Sequence, residues 1–573
     1  MDGALDNYTS KQIGDNGHIE YTWSNDIREK IVQLSFQLNR TKDNHVLAKQ
    51  TEQILIDLNY QYLSGTGKMP KEVFIEYMAL LYKMIGHTRD IIDGKGEYSL
   101  SYMLLYTWHK FYPELAKFAL KQFVLSEVDD THPYGSWKDI KYLYKYSKEY
   151  NVNSNDLVTY GIQLINEQLM RDSSDAENPS LAAKWVPREK SQFGDLFSIM
   201  ATDYFSIYLN TATTEKSQIK AILKAKMDYR KLISGLNAKL DTAQIKQCAN
   251  TWSQIVPEKQ TSITIHKQKK AFLNLKNNGE QRSELEDRII CAAKFNEYAE
   301  KASRNECIIK GKRIGLNDFT KEALNIISKS KSDGPEAKIL NAQWLDNSTQ
   351  TGALGKMIAM VDVSGSMMGD PLYAAIALGI RVAEKSMLGK RVLTFSASPR
   401  WVNLDSCNNF IEMVDTLKHS DWGINTNFYS AFNTILYSII SNKLKPEDVE
   451  DMILTVFSDM QIDNSCDKTI GTMDTVMEEI EMRYAEAGKN VWGRPYKPPH
   501  ILFWNLRSTS GFPTLSLQKN TSMMSGFSPA LLNIFCDEGI SSLQSCTPWS
   551  LLVKSLNNTR YKGLDDKIRH DLL

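Results

Sequence analysis

Met357-Ile-Ala-Met-Val-Asp-Val-Ser-Gly-Ser-Met367 is the stretch that decides the fold. Met357 to Val361 is a short, continuous apolar run that ends in turn-forming residues. That is the pattern of a strand buried on both faces of a parallel sheet. Directly after it, Asp362, Ser364 and Ser366 stand at alternating positions. One carboxylate and two hydroxyls are hard oxygen ligands, suited to Mg²⁺ or Mn²⁺ rather than to zinc. Asp-x-Ser-x-Ser is also ordinary turn chemistry, so its meaning depends on the chain further downstream.

Two later segments complete the pattern. Gly423-Ile-Asn-Thr-Asn427 leads into a helical pattern and offers the hydroxyl of Thr426. Met452-Ile-Leu-Thr-Val-Phe457 reads as a second buried strand and ends at Ser458-Asp459. In an open parallel sheet, ligands bind beyond the carboxyl ends of the strands, near the point where strand order reverses. The order Asp-x-Ser-x-Ser, Thr, Asp resembles the metal-ion-dependent adhesion site of von Willebrand factor A domains. That resemblance implies that Ser364, Ser366 and Thr426 ligate Mg²⁺ (or Mn²⁺) directly or through water, with Asp362 and Asp459 close behind. Neutral hydroxyls would leave the ion net positive charge and an open position for a partner's carboxylate or phosphate oxygen. No nucleophile with a base accompanies these residues, and His419 reads as a capping or surface residue. The chain is therefore not expected to be an enzyme, and metal-dependent phosphoester hydrolysis ranks last.

The rest of the C-terminal third alternates in the same way. Helical patterns cover 371–388, 428–442 and 470–487, and strand patterns cover 391–396, 400–404, 500–506 and 522–526. Alternating strands and helices predict an α/β sheet that is mainly parallel, a Rossmann-like arrangement. By contrast, residues 27–301 show apolar spacing of three and four almost throughout, with short loops between segments. Many successive helices without strands predict an all-α solenoid of HEAT-like character. No clean repeat period appears.

A chain of 573 residues exceeds one core and predicts several domains. Seven cysteines without a C-x-x-C pair suggest core thiols in a reducing compartment. The first residues carry no signal-peptide pattern, and no apolar run reaches the roughly 18 residues of a membrane span. The expectation is a cytoplasmic protein without a membrane partner. Net charge is +0, but the average hides a pattern. Residues 1–180 hold 19 Lys+Arg against 25 Asp+Glu, residues 181–320 hold 24 against 15, and residues 351–573 hold 21 against 24. The balances of −6, +9 and −3 place a basic middle between acidic flanks, either a nucleic-acid surface or a set of solvated helix faces. Candidate phosphate contacts are Lys184, Arg188, Lys190, Lys267, Lys269 and Lys270. The last three fall within about one helical turn.

Further words lie inside the helical part: His87-Thr-Arg-Asp-Ile-Ile-Asp-Gly-Lys-Gly-Glu97, Tyr134-Gly-Ser-Trp-Lys-Asp-Ile-Lys141, and Leu181-Ala-Ala-Lys-Trp-Val-Pro-Arg-Glu-Lys-Ser191. Asp93-Gly-Lys-Gly-Glu97 reads first as a flexible turn and second as a phosphate cradle. Trp137 and Trp185 read first as inter-helix packing and second, with Tyr134, as base-stacking platforms. These words and the downstream domain resemble the DUF2828-type two-domain family, known from plants and large DNA viruses. More distantly, the architecture resembles the Ro/TROVE proteins, in which a ring of HEAT-like helix pairs is closed by a von Willebrand A domain and small RNAs are bound. The residues mark a tail at 1–20, a polar junction near 328–350 and a charged tail at 561–573 that can form a short terminal helix; with the resemblance they imply a TROVE-like helical domain at 21–345 and a von Willebrand A-like domain at 350–560. It implies binding of small structured or single-stranded RNA, in RNA quality control or ribonucleoprotein assembly, and packaging in virions if the source is such a virus. The alternative is a metal-dependent scaffold that binds a carboxylate of a protein partner and no RNA.

Overall fold

The computed structural model describes the chain except residues 1–9, 15–16, 18, 42–43, 64–68, 127–130, 153–154, 175–177, 396–398, 421–427, 462–475, 510, 537–544 and 573. Instead of a tail over 1–20, the chain pairs β1 (Lys11–Ile13) antiparallel with β2 (Ile19–Tyr21). Tyr21 then exchanges backbone hydrogen bonds of 3.0 Å with Phe512. From Ile27–Gln37 to Pro335–Ser348 the described elements are all helical. Their spacing explains them. The Lys71–Arg89 helix starts after Pro70 and buries Phe74, Met78, Leu81 and Ile85 along one stripe.

Within the helical spacing of 27–301, one helix, Glu215–Leu240, is opened by a Thr214–Ser217 capping box and held at its middle by fully buried Tyr229. One expectation changes. The junction at 328–350 is largely the Pro335–Ser348 helix. Gly334-Pro335 starts a helix here instead of ending a domain, because proline is pre-organised for the first helical position; Leu340 and Trp344 lie in its buried face. Residues 562–572, read as a charged tail that can form a short terminal helix, form the Lys562–Leu572 helix, which packs on the Lys71–Arg89 helix and buries Leu564 and Ile568 one turn apart.

The C-terminal part is built on a mixed six-stranded sheet. Its strands are β3 (Met357–Asp362), β4 (Arg391–Phe395), β5 (Arg400–Asn403), β6 (Ile453–Ser458), β7 (His500–Asn505) and β8 (Thr521–Ser525). Their spatial order is β5-β4-β3-β6-β7-β8, and only β5 runs antiparallel to its neighbour. The two faces alternate along β3. Ala359 and Val361 pack with the Asp370–Lys385 and Phe410–Lys418 helices, while Met360 belongs to the core that holds Phe432, Ile435 and Tyr484. Helices thus cover both faces, which is why the strands read as continuous apolar runs. Gly379 lets its helix lie close to the sheet, since a Cβ there would stand 2.5 Å from Val361 Cγ2.

The helical part and the sheet share one core. Ile31, Leu34 and Phe36 cluster with Met360, Phe503 and Met523. Buried polar contacts tie the same seam. Glu29 accepts hydrogen bonds from the Ser516 backbone N–H at 3.0 and 2.9 Å. Arg560 forks onto Asp90 at 2.6 and 2.7 Å, with the Tyr561 hydroxyl 3.2 Å away. Among the described residues, no helix is long and apolar enough to cross a membrane.

Candidate metal centre and basic face

β3 lies at the middle of the sheet. The chain moves from it to β4 on one side and later to β6 on the other, so strand order reverses between β3 and β6. Asp362 ends β3, and Asp459 directly follows β6. This is the crevice where the topology places a ligand. The turn after β3 is organised by Asp362, whose Oδ1 accepts the Ser364 backbone N–H at 2.9 Å. One 3₁₀ turn, Gly365–Met367, comes next and sets the Ser364 and Ser366 hydroxyls 3.1 Å apart. Asp362, Ser364 and Asp459 are buried.

The electrostatics suit a bound cation. Burial, and then the charge of Asp459, push the Asp362 carboxyl up to about 7. Burial also raises Asp459, while Ser366 and Arg507 oppose the shift. Asp459 Oδ2 is buried and has no hydrogen-bond partner among the described residues. Two buried carboxylates with one unmet oxygen are costly without a positive charge nearby. Among the described residues, no group of three His, Cys, Asp or Glu could hold a metal. A cation here would therefore depend on hydroxyls besides the two carboxylates.

The structure brings Asp362, Ser364, Ser366 and Asp459 to one crevice; Thr426 lies outside the described residues. Sequence reasoning missed two neighbours. Ser458 donates a 2.6 Å hydrogen bond to Asp362 Oδ2, and its place at the end of β6 was the available signal. Arg507, just past β7, donates to the Ser366 carbonyl; nothing in its local sequence marked it. His419 is exposed at a helix end, with Nδ1 2.7 Å from the Asp415 carbonyl.

The basic candidates divide. Arg188, Lys190 and Lys267 are exposed, whereas Lys184 and Lys270 are half-buried. Lys269 is a correction: it is 3 % exposed and pairs with Glu322 at 3.1 Å. In the Ser262–Phe272 helix Lys267 and Lys270, three positions apart, lie on one side, while Lys269 turns away from them, so the three do not share one face. The Gly94-Lys95-Gly96 segment is not a phosphate cradle either. Lys95 is buried and its Nζ donates to the carbonyls of Ser35 (2.7 Å) and Leu38 (2.9 Å) and to Ser525 Oγ (2.7 Å). It closes the end of the Ile27–Gln37 helix against β8. Tyr134 and Trp137 are buried, as inter-helix packing requires, while Trp185 stays half-buried.

Comparison with known proteins adds two likenesses. Residues 356–560 match a domain family described as "Domain of unknown function (DUF7788)". The chain is also similar to "Uncharacterized protein L728" of Acanthamoeba polyphaga mimivirus, 28% identical over 518 residues that cover 86% of this chain and 81% of that protein. The matched domain spans the whole sheet and the crevice, and the viral relative aligns across helical and sheet parts alike.

Proposed function

We propose that residues 350–560 form a von Willebrand factor A-like domain that holds Mg²⁺ or Mn²⁺ and grips an acidic ligand through it. In the same reading the helical part binds RNA, as a distant Ro-like member of the DUF2828-type architecture. The observation that carries this is the buried pair Asp362 and Asp459 at the reversal point of the sheet, with Asp459 Oδ2 unmet among the described residues. Ser364, Ser366 and Thr426 would hold the ion, with the two carboxylates direct or through water. The ion supplies a Lewis-acidic open position. The chain's own residues orient it: Ser458 fixes the Asp362 carboxylate, and Arg507 steadies the Ser366 turn. The basic segment 181–320 supports the RNA side of the proposal.

Isothermal titration of the whole chain with Mg²⁺ and Mn²⁺ tests the metal. Binding is expected at millimolar concentration or below, lost in Asp459→Asn and in Asp362→Ala, with circular dichroism unchanged. No heat with either ion would overturn the metal reading. Fluorescence anisotropy with a single-stranded and a stem-loop RNA tests the other half. The second reading, a metal-dependent protein scaffold without RNA binding, draws on the burial of Lys269; an RNA-silent protein that still binds Mg²⁺ would select it.

A further inference from the structure

A cavity of about 670 Å³ lies between the Ala182–Trp185 turn and the Glu215–Leu240 helix. Trp185, Phe197 and Ile245 give it apolar walls, and Lys184, Arg188 and Gln244 also face it. Trp185 is shared with a cluster of cations outside. Lys138, Lys141 and Lys184 place their Nζ atoms 5.7, 5.3 and 5.9 Å from its ring centre. Lys138 and Lys141 also lie 4.7 and 5.6 Å from the ring of Tyr142. Two carboxylates beside them in sequence are engaged elsewhere: Asp139 holds Arg89, and Glu189, which lines the cavity with Arg230, holds that arginine. Among the described residues, Lys138, Lys141, Lys184 and Arg188 therefore stand without a carboxylate partner. Burial, and for Lys138 and Lys141 each other's or a neighbouring cation's charge, draws the three lysines below their ordinary range. Positive charges held together at that cost are relieved by an anion.

A cavity with an aromatic wall and an amide suits a flat heterocycle. Unpaired cations at its mouth suit a phosphate, and aromatic rings beside lysines are the usual platform for an unpaired nucleic-acid strand. We propose that this cavity takes the base of a nucleotide against Trp185, with Lys184 and Arg188 on its phosphate and Lys138 and Lys141 on the phosphate of the next residue in a strand. The strand as source rests on the RNA reading above; the cavity itself does not.

Two probes separate the sources, both used with the full chain: adenosine monophosphate by titration calorimetry, and a fluorescein-labelled single-stranded RNA decamer by anisotropy. Trp185→Ala should weaken both at least tenfold, and Trp185→Phe should restore most of the loss. Arg188→Glu, at an exposed position where misfolding is not at issue, should also weaken both. Lys141→Glu should weaken only the decamer, and should flatten its log–log salt dependence by about 0.7 for the one phosphate lost. Binding of adenosine monophosphate without the decamer would uphold the cavity and overturn the RNA reading. Decamer binding that none of the variants changes would overturn the cavity and leave the RNA reading standing. Silence of both probes would overturn the two together.

Discussion

Single buried side chains set how this protein responds to pH. His87 is 7 % exposed, and burial, with Lys95 nearby, lowers it to about 3. The unfolded chain takes up this proton near pH 6.5, while the folded chain refuses it until about 3. Its contribution is therefore complete above pH 6.5 and fades as pH falls through that window, by about 1.4 kcal/mol per pH unit. Glu29 has the opposite sign. Burial raises it to about 7 against 4.5, so its contribution is complete below 4.5 and is lost as pH rises through 7. Urea unfolding from pH 4 to 8 should show the acid-side slope of His87→Phe, and the neutral-side slope of Glu29→Gln, each reduced by about one proton relative to the parent chain.

The same scale shows where sequence reading succeeds and where it stops. Asp362, Ser364, Ser366 and Asp459 were legible because strand ends advertise themselves: an apolar run stops and oxygen-bearing residues come next. Lys269 and Lys95 were not. A lysine's sequence does not say whether its ammonium group meets water, Glu322, or the end of a helix from another part of the chain. Trp185 and Trp137 looked alike in sequence, and only packing leaves the first half-buried and the second buried.

At the level of elements, strands were easier to place than boundaries. β3, β6 and β7 carry uninterrupted apolar runs because both sheet faces are covered, and each was read within a residue or two. Helix ends depended on tertiary partners. Lys562–Leu572 is a charged segment whose helix follows from the seating of Leu564 and Ile568, a contact no local pattern states. The pair before it anchors the element. Asp90 is fully buried, and Arg560 supplies two of its hydrogen bonds. Arg560→Ala leaves that carboxylate without its cation, which costs about 3 kcal/mol, the lower end for a broken buried pair because Tyr561 and the Ile92 backbone N–H still donate. A guanidinium denaturation curve checks this. An Asp90→Asn/Arg560→Ala double variant should recover part of the loss.

For the whole molecule, the two-part description holds for architecture and fails for stability. One apolar cluster runs from the N-terminal helices through one face of the sheet, while the other face packs in a second cluster and residues 243–342 hold a third. Thermal unfolding should therefore follow a single transition, with far-ultraviolet dichroism and tryptophan fluorescence coincident. A fragment of residues 350–573 made alone should expose the face of β8 that the Ile27–Gln37 helix covers and should bind a hydrophobic dye. Two separated transitions, or a well-folded fragment, would contradict the shared core.

The hydrogen bonds from Ser516 to Glu29 span 487 residues. A ribosome adds about 5–20 residues per second, so roughly 25–100 s pass between the emergence of the first partner and the second. Throughout that interval the Ile27–Gln37 helix can pack on the His45–Leu63 and Lys71–Arg89 helices but not on β8. Synthesis is thus a long wait with the β8-facing side of that helix uncovered, the side a chaperone would have to shield until β8 arrives.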